Sequence, residues 1–168
     1  MRLQTMQTTA CYQHMKIYTQ IYKQNIPMDI HTAWDFFSSP NNLSKITPEK
    51  MNFIVTSHYN AEKMYPGMLI TYKVSPVFGI QLDWCTEITH VEEGKYFVDE
   101  QRFGPYALWH HQHHFKEIDG GIEMTDIVNY AIPYGFIGRI ANSILVASEV
   151  KNIFEYRVRK VEELFGKF

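Results

Sequence analysis

Between residues 51 and 132 the chain reads as strand-like segments in series, and only one long amphipathic segment follows them. The strands are expected at 51–59, 68–75, 80–91, 95–103, 106–118 and 121–132. Turn-formers separate them: "YPG", "SPVFG", "EEGK", "GP" and "DGG". Runs this short, divided this way, form antiparallel hairpins. From about Phe136 onward the pattern changes. Ile137, Ile140, Ala141, Ile144, Ile153, Phe154, Val158, Val161 and Phe165 recur at helical spacing, with charges opposite. An antiparallel sheet with one apolar face needs a cover, and this helix is the only element long enough to provide it. A curved sheet around one helix leaves a space between them, which is where a ligand would sit.

Before the strand series, residues 15–26 alternate apolar and polar side chains and predict a first strand ended by Pro27. Asp29 then stands as an N-cap, and Ile30, Ala33, Trp34 and Phe37 predict a short helix stopped before Pro40. A second short helix is expected over "NNLSKIT", before Pro48. Residues 1–14 are polar and aperiodic and read as a disordered or extended tail, leaving 15–168 as a single domain. A chain of 168 residues is long enough to build a core.

Composition excludes several function classes. The net charge is −2 and no run of Lys and Arg occurs, which argues against nucleic-acid binding. No apolar stretch approaches the roughly 20 residues needed to span a bilayer, and the first residues lack a signal-peptide core. Cys11 and Cys85 form neither a C-x-x-C pair nor a disulfide framework, so a reducing, cytoplasmic setting is expected. Aromatic residues are plentiful, which fits an apolar cavity as well as a packed sheet.

The order of elements, together with "ITPEKMNF" (46–53), "FVDEQRFGPYALWHHQHHF" (97–115), "MTDIVNYAIPYG" (124–135) and "IFEYR" (153–157), resembles the START/polyketide-cyclase-like helix-grip superfamily (SRPBCC). The likeness runs over about residues 15–168. It implies an α+β fold, with a curved antiparallel sheet of about seven strands wrapped around a long C-terminal helix and two short helices after strand 1. It also implies a pocket for hydrophobic or amphipathic small molecules. Lipid carriers, hormone binders, aromatase/cyclases and some hydrolases share the fold, so the fold alone does not choose among them.

The candidate site comes from "LWHHQHHFKEI" (108–118), which holds four of the eight histidines. Alternation along a strand puts Trp109, His111, His113 and Phe115 on one face and His110, Gln112, His114 and Lys116 on the other. Aromatics bracket the first set, so His111 and His113 should face the cavity and His110 and His114 should lie largely in water. The same logic turns Leu82, Trp84, Thr86 and Ile88 inward, and likewise Phe97, Asp99, Gln101 and Phe103. On the last strand it selects Met124, Asp126, Val128 and Tyr130. A bulge would shift any of these strands by one residue.

Trp84, Phe97, Trp109, Phe115 and Met124 are thus expected to supply apolar contact. His111, His113, Asp99, Gln101, Asp126 and Tyr130 would orient a ligand's polar group. Buried histidine and aspartate must be paired, so a hydrogen-bonded network is the first expectation. If the chain is a cyclase or dehydratase, His111 or His113 would be the acid/base and Asp126 its orienter. A metal on His111 and His113, with Asp99 or Asp126, would lack any supporting H-E-x-x-H or C-x-x-C motif, and neither metal nor cofactor is expected. A regulator docking partners through its outer face is the third possibility, and it would show an exposed apolar patch. Trp34, Phe36 and Phe37 are expected in the core, and the Lys and Arg residues near 151–160 on a solvated helix face.

Overall fold

The structure, a computed structural model, describes residues 16–57, 63–75, 79–135, 137, 140 and 145–168. The expected tail at 1–14, most of the "SPVFG" loop and much of the stretch between 136 and 144 lie outside the described residues.

Seven strands form one antiparallel sheet in the order β1-β7-β6-β5-β4-β3-β2. They are β1 (Tyr18–Ile26), β2 (Ile54–Val55), β3 (Leu69–Val74), β4 (Leu82–Glu92), β5 (Tyr96–Phe103), β6 (Leu108–Ile118) and β7 (Gly121–Ala131). Helix α1 (Ile30–Phe37) follows β1, and the long helix α2 (Ala147–Phe165) closes the chain. Among the described residues no helix is long and apolar enough to cross a membrane.

The caps and turns follow local chemistry. The Asp29 carboxylate accepts from the Thr32 backbone N–H at 2.9 Å, satisfying one of the orphan donors at the start of α1. The expected second helix is a tighter 3₁₀ turn, Pro40–Ile46, with Pro40 in its first turn. β2 is much shorter than the expected 51–59. A 3₁₀ turn over Glu49–Met51 ends at Asn52 with φ 43°, so pairing begins only at Ile54 opposite Lys73. The amides of Thr56 and Ser57 then share one carbonyl, that of Thr71, and regular pairing stops.

β5 departs from strict alternation. Across from it on β4, Thr86 pairs with Gln101 but Cys85 pairs with Phe103, so Arg102 is an extra residue. The bulge turns Phe103 to the outer face, where it is 67% exposed, contrary to its expected inward place. Ile137 and Ile140, expected on the inward helical stripe, are also exposed. They precede α2 rather than belonging to it.

The core lies between the concave face of the sheet and the helices. Trp34 of α1 meets the rings of Phe97 and Phe115 edge-on at 5.9 and 5.7 Å, with Ile26, Ile122 and Val161 of α2 around them. Val150 and Phe154 of α2 pack on Val128 and Tyr130 of β7. At the edge, two β1 side chains bond to the helix backbone. The Gln20 amide donates to the Ala147 carbonyl at 3.2 Å and the Gln24 amide to the Val158 carbonyl at 2.9 Å.

The β6–β7 hairpin uses both its glycines. Gly120 takes φ +82°, the left-handed conformation the tight turn demands. At Gly121 the constraint is space. A Cβ there would collide with the Ile26 carbonyl oxygen and lie 3.1 Å from the Pro27 Cα. Gly121→Ala is therefore expected to destabilise the fold by about 1–3 kcal/mol, read as a lower midpoint in urea unfolding.

Candidate functional site

β6 lies between β5 and β7, and its odd residues point inward as their aromatic flanks require. His111 and His113 are buried at 4% and 7% exposure. Register places Asp99 of β5 directly opposite His111, and Asp126 of β7 directly opposite His113. Hydrogen bonds run along the diagonals: His111 Nε2 to Asp126 Oδ1 at 3.0 Å, and His113 Nε2 to Asp99 Oδ2 at 2.9 Å. The directly opposite pairs are also close, with His111 Nδ1 at 3.3 Å from Asp99 Oδ2 and His113 Nδ1 at 2.8 Å from Asp126 Oδ1. The last contact is short but misaligned, and it leaves His113 Nδ1 without a hydrogen bond. The two imidazoles sit 3.8 Å apart, centroid to centroid, and Phe97 stacks on His113 at 4.0 Å.

Every imidazole nitrogen of the pair thus lies within 3.3 Å of a carboxylate oxygen. Burial alone would raise the pKa of both aspartates. The charge of His111 and hydrogen bonds from both histidines outweigh it at Asp99, and the same partners do so at Asp126. Both carboxyls are held well below the usual range. Burial opposes the charge on His111, but Asp99 and Asp126 overcome it and raise its pKa. The outward His114 behaves differently. His114 is lowered by partial burial and by the charge of His113. His110 and His114 are half-buried, rather than bathed in water as expected, and His114 stacks on Tyr96.

Beside this network, between sheet and α2, is a cavity of about 150 Å3. Of the expected contact residues it is lined by Trp84, Phe97, Asp99, Trp109, His111 and His113. Five others take different positions. Phe115 and Met124 belong to the core cluster under α1, and Tyr130 packs with Val150 and Phe154. Asp126 stands behind the histidines. The Gln101 amide is taken up by the backbone, donating to the Tyr106 carbonyl at 2.7 Å and accepting from the Tyr106 N–H at 3.2 Å. That exchange sets the 104–107 loop and delivers the Tyr106 ring to the cavity wall.

Tyr72 escaped the sequence reading, and Thr86 was expected to face inward but was given no role. Tyr72 and Thr86 share a buried hydroxyl contact of 2.6 Å, and Trp84 Nε1 donates to the same Thr86 oxygen at 3.0 Å. Burial, followed by the nearby Asp99 charge, raises the pKa of Tyr72 well above its ordinary value and keeps it neutral. Phe36 and Phe37, expected as core alone, also line the space. Arg157, expected on a solvated helix face, is another wall residue. The signal was its place between Phe154 and Val161 on the inward stripe.

Asp99, His111 and His113 each offer a donor atom, all within 4.8 Å of one another, and could hold a cation. A cation there would have to displace the protons that these imidazoles share with Asp99, and the ion-pair network accounts for the cluster without one.

The electrostatics give a signed expectation. A raised His111 pKa contributes stability that is present below about pH 6.5 and lost as pH rises through its folded value. The depressed Asp99 and Asp126 contribute stability present above about pH 3.9 and lost as pH falls through theirs. NMR titration should therefore place His111 above, and His114 below, the ordinary imidazole midpoint. Asp126→Asn, which breaks the buried pair, should lower the His111 midpoint and cost about 3–5 kcal/mol in unfolding free energy.

No family model and no curated protein sequence matches the chain. Solved structures do. Protein Ms6760 from Mycobacterium smegmatis superposes with a TM-score of 0.63 at 18% identity, over 87% of this chain and 89% of that one. Protein CV1439 from Chromobacterium violaceum gives 0.65 at 14%, over 89% and 99%. Major latex-like protein 151 from Panax ginseng gives 0.64 at 14%, over 89% and 97%. Identities this low carry the fold and not the chemistry. With its seven-stranded sheet, short helices after β1 and long closing helix, the chain has an α+β helix-grip fold.

Proposed function

We propose that this chain binds a small apolar or amphipathic molecule in the cavity between the sheet and α2, in a cytoplasmic setting consistent with the free Cys85 thiol. The observation that carries the reading is the cavity itself. Protein interiors pack to crystal density, and an empty space of about 150 Å3 forgoes about 3–4 kcal/mol relative to a filled core. Its walls are mostly rings and hydrocarbon. Trp84, Phe97 and Trp109 would grip the apolar part of a guest, while Asp99, His111 and His113 present a polar margin. Asp126 would act from behind, by holding the imidazoles in place.

Binding is favoured over cyclase or dehydratase chemistry for a geometric reason. A general base needs a nitrogen directed at its substrate. Three of the four nitrogens of His111 and His113 are directed at Asp99 and Asp126 instead, and the fourth, His113 Nδ1, is shielded from solvent 2.8 Å from the Asp126 carboxylate. Partner docking has less support. Ile21, Leu69, Phe103 and Ile137, among the exposed large apolar residues, are spread over β1, β3, β5 and the segment before α2.

The test uses the tryptophans, since Trp84 and Trp109 line the cavity and Trp34 does not. Titration with a panel of single-ring and short-chain amphiphiles should give a saturable change in their fluorescence. Val74→Phe, which projects a ring into the cavity from β3, should reduce affinity at least about tenfold while the far-ultraviolet circular dichroism stays native. A folded Val74→Phe protein that binds as tightly as wild type would refute the assignment.

A further inference from the structure

Among the described residues Arg157 has no hydrogen-bond or ion-pair partner. Its Nε is shielded from solvent without a hydrogen bond, and the guanidinium forms no ion pair with any described residue. It lies over the face of Phe154, whose centroid is 4.8 Å from Cζ. Arg157 is half-buried, and a guanidinium cannot shed its proton, so it brings a full charge to a wall made mostly of rings and hydrocarbon. Buried charges are ordinarily paired. The carboxylates on this side of the molecule are already matched, because Asp99 and Asp126 are held by His111 and His113. Arg157 takes no part in that cluster, and its positive charge has no counter-ion among the described residues.

Resting on the cavity reading above, we infer that the guest is a compact organic acid whose carboxylate pairs with Arg157 while its apolar body lies against the rings of Trp84 and Trp109. Three features fit this class. Stacking on Phe154 takes up a face of the guanidinium and leaves its in-plane N–H donors available. Those donors form a planar fork that matches the two oxygens of a carboxylate. The volume, about 150 Å3, suits a body of about one aromatic ring, since an apolar cavity of that size holds benzene. The hydrocarbon lining offers little to a small hydrated ion, which would lose its water for a single cationic contact.

The closing experiment compares 3-phenylpropanoate with 3-phenylpropan-1-ol by calorimetry on the full chain, at a pH where the acid is ionised. The two share ring and chain and differ at the head group. Wild type should bind the acid at least about tenfold more tightly, the expectation for hydrogen bonds to a charged partner. In Arg157→Gln the ratio of the two affinities should collapse towards one. Arg157→Lys should retain part of it, because a point charge replaces a fork. Equal wild-type affinities, or a preference that survives Arg157→Gln, would overturn the carboxylate assignment and leave cavity binding standing. If neither compound binds, both readings fall. Should Arg157→Gln not fold, the wild-type ratio and its retention in Arg157→Lys decide the question alone.

Discussion

Two imidazoles standing side by side inside an apolar sheet can be buried only because each neighbouring strand brings a carboxylate to meet them. Asp99 arrives from β5 and Asp126 from β7, and each reaches both histidines. Hydrogen bonds from both imidazoles, and the charge favoured on His111, limit the desolvation cost that an isolated carboxylate would incur. The cross-linking also ties the three central strands together on their concave side. Removing any member would leave the others exposed to an apolar surrounding, and the penalty would fall on the middle of the sheet rather than on a dispensable edge.

The same cluster divides the interior. On one side lies packed core, where Trp34, Phe97 and Phe115 interlock under α1. On the other side the wall turns towards the cavity, with Tyr72 and Thr86 adding a second, hydroxylic element. Local irregularities shape that wall. The extra residue at Arg102 removes Phe103 from the interior, and the Gln101 amide holds the following loop so that Tyr106 occupies the vacated quarter. The helix-grip architecture supplies the space, but these side chains give it its chemical character, and structures similar at 14–18% identity need not share them.

Much of this was legible in the amino-acid order. Strand parity is a strong signal when aromatics bracket one face and a lysine ends the other, and it placed His111 and His113 correctly. Asp99 and Asp126 followed from the same alternation on flanking strands. Alternation fails where a bulge intervenes, which is why Phe103 came out reversed. It also gives direction without depth: Phe115, Met124 and Tyr130 do face inward, but towards packed neighbours. Arg157 was missed because a charge among charges on an amphipathic helix reads as solvent-facing. Only its phase relative to Phe154 and Val161 distinguishes it.

That phase is set from outside the cavity, by the two glutamines of β1. Their acceptors, the carbonyls of Ala147 and Val158, are about three helical turns apart and therefore lie along one side of α2. Two fixed points on one side forbid both rolling and sliding. A roll of one residue, about 100°, would carry the guanidinium off the wall and bring a neighbour in its place. An edge strand remote from the histidines thus acts as an indexing stop for the helix, and the identity of the side chain facing the guest depends on it.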